Sequence, residues 1–150
     1  MNRKYFRALN GNEEGMTLIE IIAVLTIIVS IMYLVGQNVI KQLQRGKVLS
    51  AKTQIKLLEQ GLEDFYRDND FYPTTDQGLT ALFNKPSAGR ETPNWNGPYL
   101  KGDKSPKDPW SNDYQYISVD GQKYTIFSFG RDGKEGGTDF DADITIESSN

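Results

Sequence analysis

The chain has 150 residues, 17 of them basic and 20 acidic, for a formal charge of −3. That length accommodates one domain with a modest core, and a mildly acidic balance argues against a nucleic-acid partner, which would call for a basic patch. Cysteine and histidine are both absent, which excludes disulfide stapling, Cys- or His-ligated zinc, and the Ser-His and Cys-His nucleophilic systems.

Charge and hydrophobicity are unevenly placed. Residues Met1 to Gly15 are polar, with Arg3, Lys4 and Arg7 set against Glu13 and Glu14. From Met16 to Val35 the chain is rich in Ile, Leu and Val and carries one charge, Glu20. About 20 apolar residues cross a hydrocarbon core of roughly 30 Å as a helix. Basic residues ahead of the run keep the N-terminus cytoplasmic and send the rest outward. No small-residue cleavage motif of the Ala-x-Ala kind follows the run, so an ordinary cleaved secretory signal does not fit. Glu20 does not fit a plain signal anchor either, because a carboxylate inside an apolar span is costly and marks function by default.

Gly15-Met16-Thr17-Leu18-Ile19-Glu20 resembles the processing site of the type IV pilin superfamily, which runs Gly, a hydrophobic residue, Thr, Leu, Ile or Val, then Glu. The resemblance implies a prepilin peptidase that cuts between Gly15 and Met16 and methylates the new Met16 amine. The segment order suits that chemistry. A cut ahead of the apolar run leaves the hydrophobic helix on the mature protein and puts an α-amino cation at its head. Buried charges persist when paired, so Glu20 of one subunit is expected to pair with the Met16 amine of its neighbour. The division expected is a leader over 1–15, a transmembrane and polymerisation helix over 16–40, and a periplasmic domain over 41–150.

Past Val35 the helical pattern continues. Val48, Ala51, Ile55, Leu58, Leu62 and Phe65 recur at spacings of three and four and make one apolar stripe. Lys47, Lys52, Lys56, Glu59 and Glu63 lie off it. Gly36, Gly46 and Gly61 read as points of softness. All six prolines fall between Pro73 and Pro109, which with the nearby glycines makes that stretch loop and turn. Trp95, Tyr99, Leu100 and Trp110 within it read as anchors onto the core, with a carbohydrate platform as the other use of such aromatics. Residues 114–119 and 123–129 read as two strands joined at Asp120-Gly121, and 142–146 as a third. A long helix, an irregular loop and a small antiparallel sheet make an α+β fold.

Asp132, Glu135, Asp139, Asp141 and Asp143 then cluster among Gly130, Gly133, Gly136 and Gly137. Calcium takes six to eight oxygens, from carboxylates and carbonyls on a flexible loop, and glycine lets carbonyls turn inward. The spacing is not that of an EF-hand, nor is there a repeated nonapeptide. From composition alone, a cation loop and a solvated acidic tail both stand. A catalytic carboxylate pair, as in a glycosidase, has nothing to place it across a cleft.

Over nearly the whole of the chain after Gly15 the motifs resemble the major pseudopilins of type II secretion. They are Tyr72-Pro73-Thr74-Thr75-Asp76-Gln77-Gly78-Leu79, Trp95 with Pro98-Tyr99-Leu100, Pro106-Lys107-Asp108-Pro109-Trp110 with Tyr114-Gln115-Tyr116, and Ser128-Phe129-Gly130-Arg131-Asp132-Gly133 with Gly136-Gly137 and Asp141-Ala142-Asp143-Ile144. Ser111 stands where that family usually has Gly, and Phe129 where it usually has Leu. The resemblance implies a pilin-like α+β fold and a structural subunit, not an enzyme, that polymerises into a periplasmic fibre driving folded proteins across the outer membrane. It implies partners: further copies of itself in a helical homopolymer, minor pseudopilins, the prepilin peptidase, and an inner-membrane platform with its ATPase. It also implies calcium, held by the Asp132 and Asp139 side chains and the Phe129 carbonyl, with Thr138, Asp141 and Asp143 as further candidates. Two other readings remain in competition. One is a type IV pilus pilin, against which the missing C-terminal cysteine pair counts. The other is a signal-anchored periplasmic calcium-dependent hydrolase.

Overall fold

The computed structural model describes residues 15–148. One helix, α1, runs over Leu18–Asn69. Thr17 caps its start, accepting the Glu20 N–H on Oγ1 at 3.3 Å while its carbonyl accepts from Glu20 and Ile21. Thr17-x-x-Glu20 is also the capping-box spacing, in which a Ser or Thr cap and a Glu or Gln three residues later satisfy the first orphan donors. Contacts divide the chain into two units between Ile40 and Lys41, and α1 contributes to both.

In the first unit every residue from Gly15 to Ile40 is exposed. The apolar part of α1 is long and apolar enough to cross a membrane, and none of it is buried among the described residues. Its two small hydroxyls are satisfied within the helix: Thr26 donates to the Ile22 carbonyl at 2.8 Å and Ser30 to that of Thr26 at 2.7 Å. Such back-bonding is how a hydroxyl can sit in an apolar span without an unpaired polar group.

In the second unit the apolar stripe is buried. Ala51, Ile55, Leu58, Leu62 and Phe65 are at most 1 % exposed and form a core cluster with Tyr114, Tyr116, Tyr124, Ile126 and Ile144. Each fully buried Leu, Ile or Phe contributes roughly 1.5–3 kcal/mol of transfer free energy. Gly61 lies on this buried face, and a Cβ there would meet Leu100 at 2.9 Å. Its missing side chain therefore serves close approach of the loop to the helix, which corrects its reading as a soft point. The helix stops at Asn69, whose Nδ2 donates to the Phe65 carbonyl at 3.0 Å, and at Asp70, which takes a left-handed φ of 61°.

The segment after α1 is held by aromatic side chains. A 3-10 turn spans Leu79–Leu82. Trp95 donates its indole N–H to the Ala81 carbonyl at 2.9 Å, and Trp110 donates its own to Gln44 Oε1 at 3.1 Å. The Tyr99 hydroxyl donates to Asp68 Oδ2 at 2.9 Å, and its ring meets Phe65 edge-on at 5.6 Å. These rings pin the loop, as the sequence suggests, and their polar ends find partners as buried Tyr and Trp generally do.

Three short strands follow: β1 Gln115–Ile117, β2 Thr125–Ser128 and β3 Ile144–Glu147. They form one antiparallel sheet in chain order, with Tyr116 opposite Ile126 and Ile126 opposite Ile146. The strands are shorter than the sequence pattern suggests. Asp120-Gly121 is not a two-residue turn either. Ser118 Oγ donates to the Lys123 carbonyl at 2.7 Å, closing a wider loop, and the Gly121 carbonyl accepts the Tyr72 N–H at 2.7 Å. The tip thus docks on the exit of α1.

A second tight loop precedes β1. The Asp108 N–H donates to the Asn112 carbonyl at 2.8 Å and Ser111 N–H to the Asp108 carbonyl at 2.9 Å. Ser111 holds φ 77°, a region that suits glycine. A left-handed non-glycine residue costs about 1–2 kcal/mol, and glycine returns part of that through the flexibility of the unfolded chain. Ser111→Gly is therefore expected to stabilise by about 0.5–1 kcal/mol, read as a melting temperature a few degrees higher. A lower melting temperature would mean that the serine side chain has a structural use.

Candidate functional site

Two places carry the candidate residues. The first is the N-terminal junction. Gly15 and Met16 are exposed and lie ahead of α1, and Glu20 sits in its first turn. A carboxylate there is favoured by the positive end of the helix dipole. The leader expected over 1–15 falls, apart from Gly15, outside the described residues.

The second place is the loop between β2 and β3. It leaves β2 at Phe129, whose ring meets Phe127 edge-on at 5.2 Å, and returns at Asp143. Asp132 Oδ1 accepts the Lys134 N–H at 3.1 Å. Asp139 has a left-handed φ of 54°. The Thr138 carbonyl accepts the Asp141 N–H at 3.0 Å. Asp143 Oδ2 accepts the Gly136 N–H at 3.0 Å, while its Oδ1 is buried with no hydrogen-bond partner. Asp141 is occupied differently. Arg131 donates to its carboxylate from Nε and Nη2, each at 2.7 Å. These hydrogen bonds hold the Asp141 carboxyl below the ordinary carboxylate range.

Among the described residues no three carboxylates gather closely enough to enclose a metal ion by themselves. The donor chemistry nonetheless suits a hard cation, because oxygens from Asp132, Asp139 and Asp143 share one loop with backbone carbonyls. The unpaired buried oxygen of Asp143 is the observation that fits best, since such an atom calls for a partner. Asp141 fits least, because both of its oxygens already face a guanidinium.

A polar cluster also lies in this unit that the sequence pattern does not reveal. Asp108 is 4 % exposed and Ser128 fully buried. Asp108 accepts the Trp110 and Asn112 N–H groups on Oδ1 at 3.0 and 2.8 Å, and the Ser128 hydroxyl on Oδ2 at 2.6 Å. It ties the Ser111 loop to the end of β2, next to the start of the acidic loop. Nothing periodic marks it; the nearest signal is an Asp directly before a Pro in a turn-rich stretch.

A long helix with a bare apolar half, joined to a helix-on-sheet unit with an acidic loop, can be compared with known proteins. The family described as type II secretion system, protein G, matches residues 38–147. The chain belongs to that family. Type II secretion system core protein G of Pseudomonas aeruginosa is 44% identical over 135 residues, covering 88% of this chain and 93% of that protein. Its namesake from Vibrio cholerae is 42% identical over 134 residues, covering 88% and 90%. The crystal structure of the major pseudopilin from the type 2 secretion system of enterohaemorrhagic Escherichia coli matches with a TM-score of 0.58 at 32% identity, over 72% of this chain and 92% of that one. The protein G family is a structural part of the secretion machinery and not an enzyme. The hydrolase reading therefore falls away, and the pilus-pilin reading gives way to the pseudopilin one.

Proposed function

We propose that this chain is the major pseudopilin of a type II secretion system, a membrane-anchored subunit that polymerises into a periplasmic fibre. The observation that carries the reading is the apolar half of α1: a membrane-length segment exposed throughout among the described residues, opened by Gly15-Met16 and holding the single carboxylate of Glu20. Such a surface suits a lipid bilayer first and the helices of other copies afterwards. In this reading prepilin peptidase removes residues 1–15 and methylates Met16. Residues 16–40 hold the subunit in the inner membrane, and 41–150 lie in the periplasm. The inner-membrane platform and its ATPase extract the subunit onto a fibre that also takes minor pseudopilins. Glu20 pairs with the Met16 amine of the neighbouring subunit.

Calcium belongs to the same proposal. Asp132, Asp139 and Asp143, with the Phe129 carbonyl and oxygen from Thr138, are the donors that would hold it, and Asp141 is not among them. Bound there, the ion neutralises carboxylates that otherwise repel each other across one short loop.

The test starts at the N-terminus. Co-expressed with prepilin peptidase, the chain is expected to yield a mature protein that begins at N-methylated Met16 by mass spectrometry. Gly15→Ala should slow or block that step. A mature N-terminus anywhere else sinks the processing reading. Glu20→Gln then separates two roles. Glutamine keeps the size and an acceptor oxygen at this position but not the charge, so charge pairing predicts a subunit that inserts in the membrane yet forms no fibres under electron microscopy. Normal fibres from this variant would refute the charge-pairing role of Glu20.

A further inference from the structure

Arg131 and Asp141 face each other across the neck of the acidic loop. Their side chains form a two-pronged ion pair, with Nε and Nη2 each 2.7 Å from a separate carboxylate oxygen. The backbone reinforces it, because the Arg131 N–H donates to the Phe140 carbonyl at 3.0 Å. The two arms pass so closely that glycine is required beside them. A Cβ on Gly130 would meet the Ala142 carbonyl at 2.8 Å, and one on Gly137 would collide with that of Asp141. Arg131 lies just after β2 and Asp141 just before β3, so the pair spans the point where the chain turns back to set Ser128 opposite Ile144. The rest of the loop carries Asp132, Glu135, Asp139 and Asp143 against one further cation, Lys134. Like charges confined in this way push a loop open, and a planar guanidinium that holds both oxygens of one carboxylate opposes the push with fixed geometry.

We propose that Arg131 is a built-in counter-cation that latches the loop through Asp141, so that the neck beneath the calcium donors is closed before any calcium binds. Asp141 is then a positioning residue and not a ligand. The inference rests on the calcium reading above only for its second half; the latch itself rests on the ion pair. It also has an unusual sign. A nearby positive charge by itself weakens binding of a cation, so deleting it should tighten binding. A latch does the reverse: without it, part of the binding free energy goes into closing the loop, and the apparent affinity falls to the intrinsic one multiplied by the fraction of loops that remain closed.

The experiment uses the full-length mature chain in detergent, as wild type, Arg131→Gln, Arg131→Lys, Asp141→Asn and the double variant Arg131→Gln/Asp141→Asn. With chelator present, Arg131→Gln is expected to speed amide exchange over residues 129–147 several-fold. In calcium titrations by calorimetry it should weaken binding about fivefold, a modest change because the pair is exposed to solvent. Arg131→Lys should do nearly the same, because it keeps the charge and loses the fork. Asp141→Asn should weaken binding by a similar factor and the double variant no further, as expected when both substitutions break one interaction. Unchanged exchange in Arg131→Gln, or tighter calcium binding, overturns the latch. A loss of a hundredfold or more in Asp141→Asn alone also overturns it, since that would make Asp141 a ligand. If the wild type takes up no calcium at all, the calcium reading fails, and the exchange measured in chelator decides the latch.

Discussion

Asp108→Ala is expected to lower the stability of the unit beginning at Lys41 by about 3–5 kcal/mol. The carboxylate receives three donors, the Trp110 and Asn112 N–H groups and the Ser128 hydroxyl, and both it and Ser128 are shut away from water. Alanine leaves all three without a partner, and each unsatisfied buried group costs about 1–3 kcal/mol. For a domain of this size the melting temperature should fall by roughly 12–20 °C. Asp108→Asn keeps one acceptor oxygen and can meet either the backbone pair or the hydroxyl, so its loss should be smaller. A loss below about 1 kcal/mol for the alanine variant would mean that water reaches the cluster and that the hydrogen bonds are not a structural clamp.

Calcium is expected to have the next largest effect. The fragment over residues 41–150, one of the two units defined by internal contacts, isolates it from the membrane segment. A ligand that binds only the folded state stabilises it by about 2.7 kcal/mol at a hundredfold excess over Kd, which here raises the melting temperature by roughly 10 °C. Magnesium should substitute poorly, because it demands a small, near-octahedral site. Asp132→Ala and Asp139→Ala should each remove most of the shift, and Glu135→Ala much less. The measurement is thermal unfolding with calcium, with magnesium and with chelator. Three superimposable curves would reduce the acidic loop to a plain solvated segment.

Which parts of this molecule could be read from its sequence follows from which forces leave a pattern. The stripe from Val48 to Phe65 is legible because a helix buries every third or fourth residue, and these are the positions the core takes up. The existence of the three strands is legible from their β-branched and aromatic residues, whereas their ends are not. A strand such as Gln115–Ile117 stops where hydrogen-bond partners run out, not where hydrophobicity does. Gly61 reads only as softness in the sequence because a glycine serves both softness and close approach, and the position of Leu100 is what reveals the second. The role of Asp108 is hidden because a buried carboxylate depends on what the chain folds around it. Within the acidic loop, composition points to the carboxylates but not to Arg131. A cation among acids reads as solvated charge until its geometry reveals the fork on Asp141. The N-terminal junction is the candidate site most easily picked out, since its residues lie side by side in the chain.

The order of the sheet has a consequence for how the chain reaches its folded state. Strands β1, β2 and β3 pair only with their neighbours in sequence, and the hairpin loop between the first two closes through a contact five residues apart, Ser118 to Lys123. Joining helix and sheet is a longer errand: the Tyr114 hydroxyl donates to Gln54 Oε1 at 2.6 Å across a sequence separation of 60. Chain-closure entropy grows as (3/2)RT ln n, so bringing those two together costs about 2 kcal/mol more than turning the hairpin. The entropic barrier therefore lies in docking, not in the meander, and it is lowest where one docking partner is already rigid. Anchored in a bilayer as proposed, the first half of α1 would steady the second half as such a surface for the strands to collapse onto.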